Sequence, residues 1–492
     1  MTNSSRAIET RKDVEAIVTT GVDTDSANDQ DERGIRFVPR GEAMPEASSS
    51  QESIAGYDAE LMSGRTLLSA AEEKKLLRKI DWRLMTLCSL IFMFKQLDSQ
   101  NISNARIMNR GTSHNIMKQL GMIADEYNLV TVAYYIPYIV GEAPSNLLLK
   151  YFSPSKWQSR IMIGWGIFLM CHVPVKNICG NTAGILGGLL AYGFDTISGA
   201  GGLSGWQWLF LVEGLATVLF GSIIWFVLPD FPETASWLTE REKKFIQARL
   251  PANAPRAAEA NFNLSEIVAS LRDKRLWLFT LIWATFTVGT QGVTFYQSTV
   301  IANLGFSTIA QAQLLNLPIT VTALLIIAVT GIMADRRNIP RPLYPLTFLV
   351  IIVICYGVFV AHPSSAAIYA VTLIGNAVTA AWFPVMWPWR VQTTSHATGS
   401  AFSIGFVNSY GQIGGALGPQ IFRSHYGPRY TVPFCVAMGL VGACIILTMV
   451  TWWITRSTES ETRRIKQAKL AADRRGETVL EDVVDMDLKP RA

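Results

Sequence analysis

Most side chains able to do chemistry in this 492-residue chain sit inside long apolar stretches, where chemistry is expensive. Glu142 stands between Gly141 and Ala143-Pro144. Desolvation there favours the neutral acid, as a proton carrier requires; the same carboxyl can equally bond a neighbouring helix. Asp98 closes the first apolar run, and Asn101, Asn104 and Arg106 follow it. This string either lines a pathway, with Asp98 or Arg106 sensing a proton or anion, or caps and anchors a helix end. Gln291 and Tyr296 lie in a run interrupted by Gly289 and Gly292, while Glu213, beside Trp206 and Trp208, reads as structural. Asn408 and Gln412 are spaced i, i+4 around Tyr410 and share a helix face. They serve as substrate donors or as interhelical bonds. Arg390 ends the sequence Trp387-Pro388-Trp389-Arg390. A guanidinium can bind a carboxylate bidentately, but this position favours snorkelling to a span end.

Other chemistries lack their residues. His172, His362, His396 and His425 are isolated, without metal-ligand spacing. The six cysteines (Cys88, Cys171, Cys179, Cys355, Cys435, Cys444) form no CxxC pattern and read as packing residues. No GxxxxGK[ST] phosphate loop occurs. The expectation is a protein with no cofactor, no metal and no enzymatic activity.

The elements that must carry these residues are apolar helices. The chain is 49% hydrophobic and 16% charged, against about 25% charged in soluble domains. Leu343–His362 and Val432–Thr455 hold no Asp, Glu, Lys or Arg, and about 20 apolar residues cross a bilayer. The fold class is therefore an all-α polytopic membrane protein. Soluble enzymes, nucleic-acid binders and disulfide scaffolds are excluded. The net charge of +5 comes from basic residues flanking the spans.

Ten spans are predicted: Trp82–Leu97, Ile123–Leu149, Trp157–Lys176, Trp206–Leu228, Leu276–Val300, Gln313–Ala334, Leu343–His362, Ala366–Trp389, Ser400–Phe422 and Val432–Thr455. Ile178–Phe194, with five glycines, is marginal in length and hydropathy. The organisation reads as a disordered tail ending in a short amphipathic helix (1–80), an amino-terminal bundle (81–228) and a charged loop (229–275). A six-helix bundle (276–455) and a second tail (456–492) complete it. Thr239-Glu240-Arg241-Glu242 is a capping box that predicts a surface helix in the central loop. Basic residues put that loop and both tails in the cytoplasm; Arg106, Arg110 and Lys118 in the first outer loop are a mild exception. The halves are unequal, Trp82–Leu228 being 33 residues shorter than Leu276–Thr455. That deficit is about one span with its loop.

Four stretches carry a resemblance: Leu97–Asn109, Tyr127–Trp157, Gly201–Gly214 leading into Leu228–Lys243, and Gly331–Pro342. Together they resemble fungal major facilitator superfamily transporters of the anion:cation symporter group, relatives of allantoate, nicotinate and vitamin permeases. The resemblance implies two pseudo-repeated helical bundles. It also implies that the fourth span, with its Arg and downstream Glu, is absent where Asn177 meets Ile178. Ile178–Phe194 then either reverses across the bilayer or stays at the outer surface, and the loop charges favour the latter. Gly331–Arg337 resembles the superfamily's cytoplasmic gate, with Asp335, Arg336 and Arg337 as a latch and Asn146 and Lys150 as the amino-terminal counterpart; the plain alternative is a basic cytoplasmic loop. The implied function is proton-coupled import of a small organic anion, such as a carboxylate vitamin or ureide-type nutrient, by alternating access. The implied partners are that anion, protons and the lipid bilayer, in a monomer at the plasma membrane. An exporter in the same fold, or a non-transporting protein lacking one span, are the alternatives.

Overall fold

The computed structural model describes residues 37–39, 67–109, 111–151, 153–170, 200–229, 235–249, 264–303, 315, 317–335, 339–391, 397–427, 429–475 and 477–479. The first helix, α1 (Ala70–Ile80), starts where Ser69 and Glu72 close a capping box, with Ser69 N donating to Glu72 Oε2 at 2.9 Å. One π-helical turn, Asp81–Met85, joins it to α2 (Thr86–Ile107). The helix thus runs ten residues beyond the predicted end of the first span. Asp98, Asn101 and Asn104 are helical rather than beyond a helix end; their side chains lie outside the described residues.

A short α3 (Ile116–Gln119) leads to α4 (Ala124–Tyr151), α5 (Pro154–Met170) and α6 (Gly205–Val227). The central loop contributes α7 (Glu240–Arg249) and α8 (Leu264–Arg272). The predicted capping box starts α7, with Thr239 N donating to Glu242 Oε2 at 2.8 Å. The second half comprises α9 (Lys274–Asn303), α10 (Leu317–Asp335), α11 (Leu343–Ala361) and α12 (Ser365–Val391), followed by α13 (Ala397–Gly411), α14 (Ile413–Ile421) and α15 (Thr431–Arg475). Among the described residues, α6, α9, α10, α11, α12 and α15 are long and apolar enough to cross a membrane. The helix α15 continues twenty residues past the predicted span, and Glu459 Oε1 there accepts from Arg341 N at 3.3 Å. Two short strands, β1 (Phe37–Pro39) and β2 (Glu477–Val479), pair antiparallel and so join the two terminal tails.

Small residues set how closely the helices approach. On α5 and α6, a Cβ on Gly166 would lie 2.7 Å from Gly214 O, and Ser159 Oγ donates to Gly221 O at 2.6 Å. In the second half α9 is central, packed by α13, α14 and α15. A continuous apolar core of Phe279, Trp283, Phe286, Trp382 and Trp389 surrounds it. The halves meet where α4 lies along α13 and α14 and where α2 touches α9. The end of the bundle carrying α1 and α7 is called the near end here, and the opposite one, where α2 finishes and α4 starts, the far end. At the near end α1 docks on α7 through Leu68, Leu76, Leu238 and Phe245, with Lys79 Nζ 3.1 Å from Glu242 Oε2.

Candidate functional site

The helix α4 contains Pro137 and Pro144, each removing a backbone donor from the ladder. Glu142 sits between them, nine residues from the near end of α4, which is about 14 Å at 1.5 Å per residue. Asn408 lies eleven residues into α13, about 16 Å from its start. The two therefore share one depth. Asn408 Nδ2 donates to Glu142 Oε1, and lies 3.3 Å from Tyr138 Oη. Tyr138 also hydrogen-bonds Glu142 from one turn earlier on α4. Two predicted residues, 266 positions apart, thus meet between the halves.

The span predicted as Ser400–Phe422 is divided at Gln412. Gln412 separates α13 from α14, its N–H donating to Asn408 O at 3.2 Å while its carbonyl accepts from Gly415 N at 2.9 Å. Beyond the break, glycines let α14 press on both halves. A Cβ on Gly415 would lie 2.0 Å from Tyr135 Cζ, and one on Gly414 would strike the backbone of Thr287. Neither Tyr135 nor Tyr138 was singled out from the sequence; their helical spacing ahead of Glu142 in the motif YYIPYIVGE is the signal that could have found them.

Arg390 departs from the snorkelling expected of it. It is 2% exposed, with its guanidinium carbon 4.1 Å from the Trp387 ring centre and 5.2 Å from that of Trp283. Its Nη2 donates to Ile404 O at 3.4 Å, and the charge of Glu142 acts on it. Two indole faces and one carboxylate draw the cation inward, replacing the interfacial water that snorkelling would reach. Trp283 is fully buried against Trp382 and Trp387, and its indole N–H has no hydrogen-bond partner among the described residues.

A second constellation closes the far end. Asn128 Nδ2 donates to Tyr296 Oη at 2.9 Å and to Pro419 O at 3.4 Å, and Tyr296 Oη donates to Asn128 Oδ1 at 3.1 Å. Arg106 lies with its guanidinium carbon 4.5 Å from the Tyr296 ring centre and 5.8 Å from that of Phe295. Asn115 Nδ2 pins the end of α2 by donating to Met108 O at 2.7 Å. Arg106 and Tyr296 were singled out from the sequence; Asn128 and Asn115 were not, because a lone asparagine near a helix start carries no periodic signal. Gln291 sits five residues before Tyr296 on α9, where a Cβ on Gly418 would lie 3.3 Å from its own Cβ. Glu213 is buried within α6.

Of the gate residues, Asn146 is half-buried in α4, and the Lys150 and Asp335 side chains lie outside the described residues with Arg336 and Arg337. Ile178–Phe194 and the Asn177–Ile178 junction also fall outside them. Among the described residues no cluster of His, Cys, Asp and Glu could hold a metal ion.

Residues 175–419, just under half of the chain, match the Major Facilitator Superfamily. The MFS-type transporter cnsO of Penicillium expansum is 26% identical over 465 aligned positions, covering 83% of this chain and 88% of that protein. The MFS transporter prlL of Fungal sp. (strain NRRL 50135) is 25% identical over 457 positions, covering 82% and 91%. The major facilitator-type transporter hxnP of Emericella nidulans is 24% identical, covering 84% and 90%. A bacterial homologue of the human lysosomal transporter Spinster, inward-facing and unoccupied, gives a TM-score of 0.49 at 12% identity, covering 76% of this chain and 98% of that one. In the cnsO alignment, 83% of 492 is about 408 residues, so about 57 of the 465 positions have no residue here.

Proposed function

We propose that the chain is a multi-pass membrane transporter of the major facilitator type that imports a small organic anion together with a proton by alternating access. In this reading the near end, both tails and the central loop face the cytoplasm, the far end faces outward, and the host is the plasma membrane. The protein works as a monomer without a cofactor. One observation carries the reading: Glu142, a carboxyl in mid-span, is bonded by Asn408 of the other half. Protonating it changes a contact between the two bodies that must rock, which is how a proton gradient can be coupled to their motion. The Asn128–Tyr296 bonds support a state shut on the outer side. Asp335, Arg336 and Arg337, with Asn146 and Lys150, form the cytoplasmic gate in this reading.

The test is uptake into proteoliposomes with an acidic exterior, using labelled monocarboxylates and ureides. Saturable accumulation that a protonophore abolishes is expected. Accumulation insensitive to the protonophore would remove the proton, and transport only in the opposite direction would make the protein an exporter. A second reading is that this 492-residue form does not transport, because one wall of the amino-terminal bundle is missing. The short amino-terminal half favours it, since Trp82–Leu228 is 33 residues shorter than Leu276–Thr455, about one span with its loop. Sequencing the transcript across the codons for Asn177 and Ile178 decides the matter. An in-frame insertion there restores an ordinary symporter.

A further inference from the structure

The short helix α8 turns its polar side to the protein and its apolar side outward. Leu264, Ile267, Val268 and Leu271 fall at i, i+3, i+4 and i+7 and so share one side of it. Leu264 is 69% exposed, Val268 42% and Leu271 36%. The other side meets the start of α13. There Gly399 N donates to Glu266 Oε2 at 3.1 Å, and a Cβ on Gly399 would lie 2.9 Å from Ser270 Oγ. An amphipathic helix at a watery surface buries its apolar side; the reverse arrangement is stable where an apolar medium covers that side.

What adjoins this face identifies the medium. Trp277, in the first turn of α9, donates its indole N–H to Leu271 O at 2.9 Å and keeps its ring half exposed. Leu281 follows one turn later on the same side, equally exposed. The apolar side of α8 therefore continues onto the outward side of a helix long and apolar enough to cross a membrane. Tryptophan at such a junction suits the membrane interface. The charges of the segment are one-sided as well. Its acidic groups are engaged, Glu266 by the Gly399 N–H and Asp273 by Arg275 at 3.8 Å. Arg272, four residues after Val268, and Lys274 are exposed and have no ion-pair partner among the described residues.

We propose that α8 lies in the bilayer interface at the near end and, with Arg272 and Lys274, forms a binding site for an anionic phospholipid. The acyl chains cover Leu264, Val268, Leu271 and Trp277, and the two cations reach the negative headgroup along their aliphatic stems. In the orientation proposed above this leaflet is the cytoplasmic one, which is the leaflet rich in anionic lipid. The site is independent of the cargo and of its coupling to protons. Its link to transport is the bond from Gly399 to Glu266, which ties the lipid-held helix to α13, the element carrying Asn408. Lipid at α8 thereby fixes the near end of α13.

Two measurements on the full-length protein test the site. In nanodiscs of phosphatidylcholine mixed with phosphatidylserine, a nitroxide on Val268→Cys is read by its collisions with oxygen, which concentrates in the bilayer, and with a water-soluble nickel complex. The signal of the labelled parent protein is subtracted, because Cys88 and Cys435 are exposed. The Val268 label should favour oxygen, and a label on Ala269→Cys, off the apolar side, should favour nickel. A Val268 label that favours nickel, or that meets neither because protein covers it, overturns the proposal. In detergent, the unfolding midpoint is followed as phosphatidylserine, phosphatidylcholine or glycerophosphoserine is added. Phosphatidylserine should stabilise at lower concentration than phosphatidylcholine, and glycerophosphoserine, a headgroup without chains, should not stabilise. Arg272→Gln and Lys274→Gln should each weaken the response to phosphatidylserine about fivefold and leave that to phosphatidylcholine unchanged. Equal responses to the two lipids, a preference that survives in Arg272→Gln/Lys274→Gln, or stabilisation by glycerophosphoserine equal to that by the lipid would each overturn the site and leave the transport reading intact.

Discussion

At the near end, Glu242 accepts from Thr239 N at 2.8 Å and from Lys79 Nζ at 3.1 Å. Burial works against its charge, but the bonds from Thr239 and Lys79 outweigh it and hold its carboxyl below the ordinary range. A depressed value in the folded state means the contribution is complete above the unfolded value of about 4.3 and is lost as pH falls through the folded one. The pair is partly exposed, so the docking of α1 on α7 gains no more than about 1 kcal/mol from it. Trp237 reports this, since Lys79 and Arg83 lie 5.6 and 5.2 Å from its ring. Its emission should hold steady from pH 7 to 5, change below about 4, and lose that change in Lys79→Gln. A response equal in wild type and variant would place the titration elsewhere. Glu142 shows the opposite use of a carboxyl: its donors come from a tyrosine and an amide in mid-span, with one cation on the facing half.

Among elements, the broken helix α13–α14 does most to shape the site. The interruption at Gln412 aims Asn408 toward α4 on one side and lets the glycines of α14 settle against α9 and Tyr135 on the other. Gly415 tests this arrangement, because its missing Cβ is the seat of the Tyr135 ring. Gly415→Ala should destabilise the protein by about 1–3 kcal/mol, as overpacking does, visible as a lower unfolding midpoint. Trimming the ring in Tyr135→Ala/Gly415→Ala should return part of that loss. An unchanged midpoint in the single variant would mean that α14 can shift away from α4. The proline pairs act similarly: Pro137 and Pro144 bracket Glu142, and Pro384 and Pro388 precede Arg390. Each charged residue stands where its helix has already given up regular bonding.

For the whole molecule, the contacts that join the halves are layered, with Glu142 and Asn408 in mid-span and Asn128, Tyr296, Pro419 and Arg106 at the far end. Rocking must break the far layer. Tyr296→Phe removes the bond to Asn128, worth about 1 kcal/mol, and should raise the population open at the far end about fivefold. Spin labels on Ser113→Cys and His425→Cys, exposed on the far-end loops of the two halves, would read this as growth of the longer-distance population. An unchanged distribution would show that Arg106 or the α2–α9 contact holds the seal instead.

The sequence by itself determined the class of molecule, because charge-free windows such as Leu343–His362 have no stable place in water and their lengths match a bilayer. It determined helix starts at Ser69 and Thr239, where the capping residues are adjacent in the chain. It also singled out Glu142, Asn408, Arg106 and Tyr296, since a polar group in an apolar run is conspicuous without any fold. Which of these meet was decided only by the tertiary structure. Glu142 and Asn408 are 266 residues apart and Asn128 and Tyr296 are 168 apart, and no local pattern encodes a contact between two helices from different halves. Arg390 makes the same point in reverse. At a span end its local sequence equally suits a side chain reaching for water, and only the assembled rings of Trp283 and Trp387, with Glu142 opposite, turn it inward.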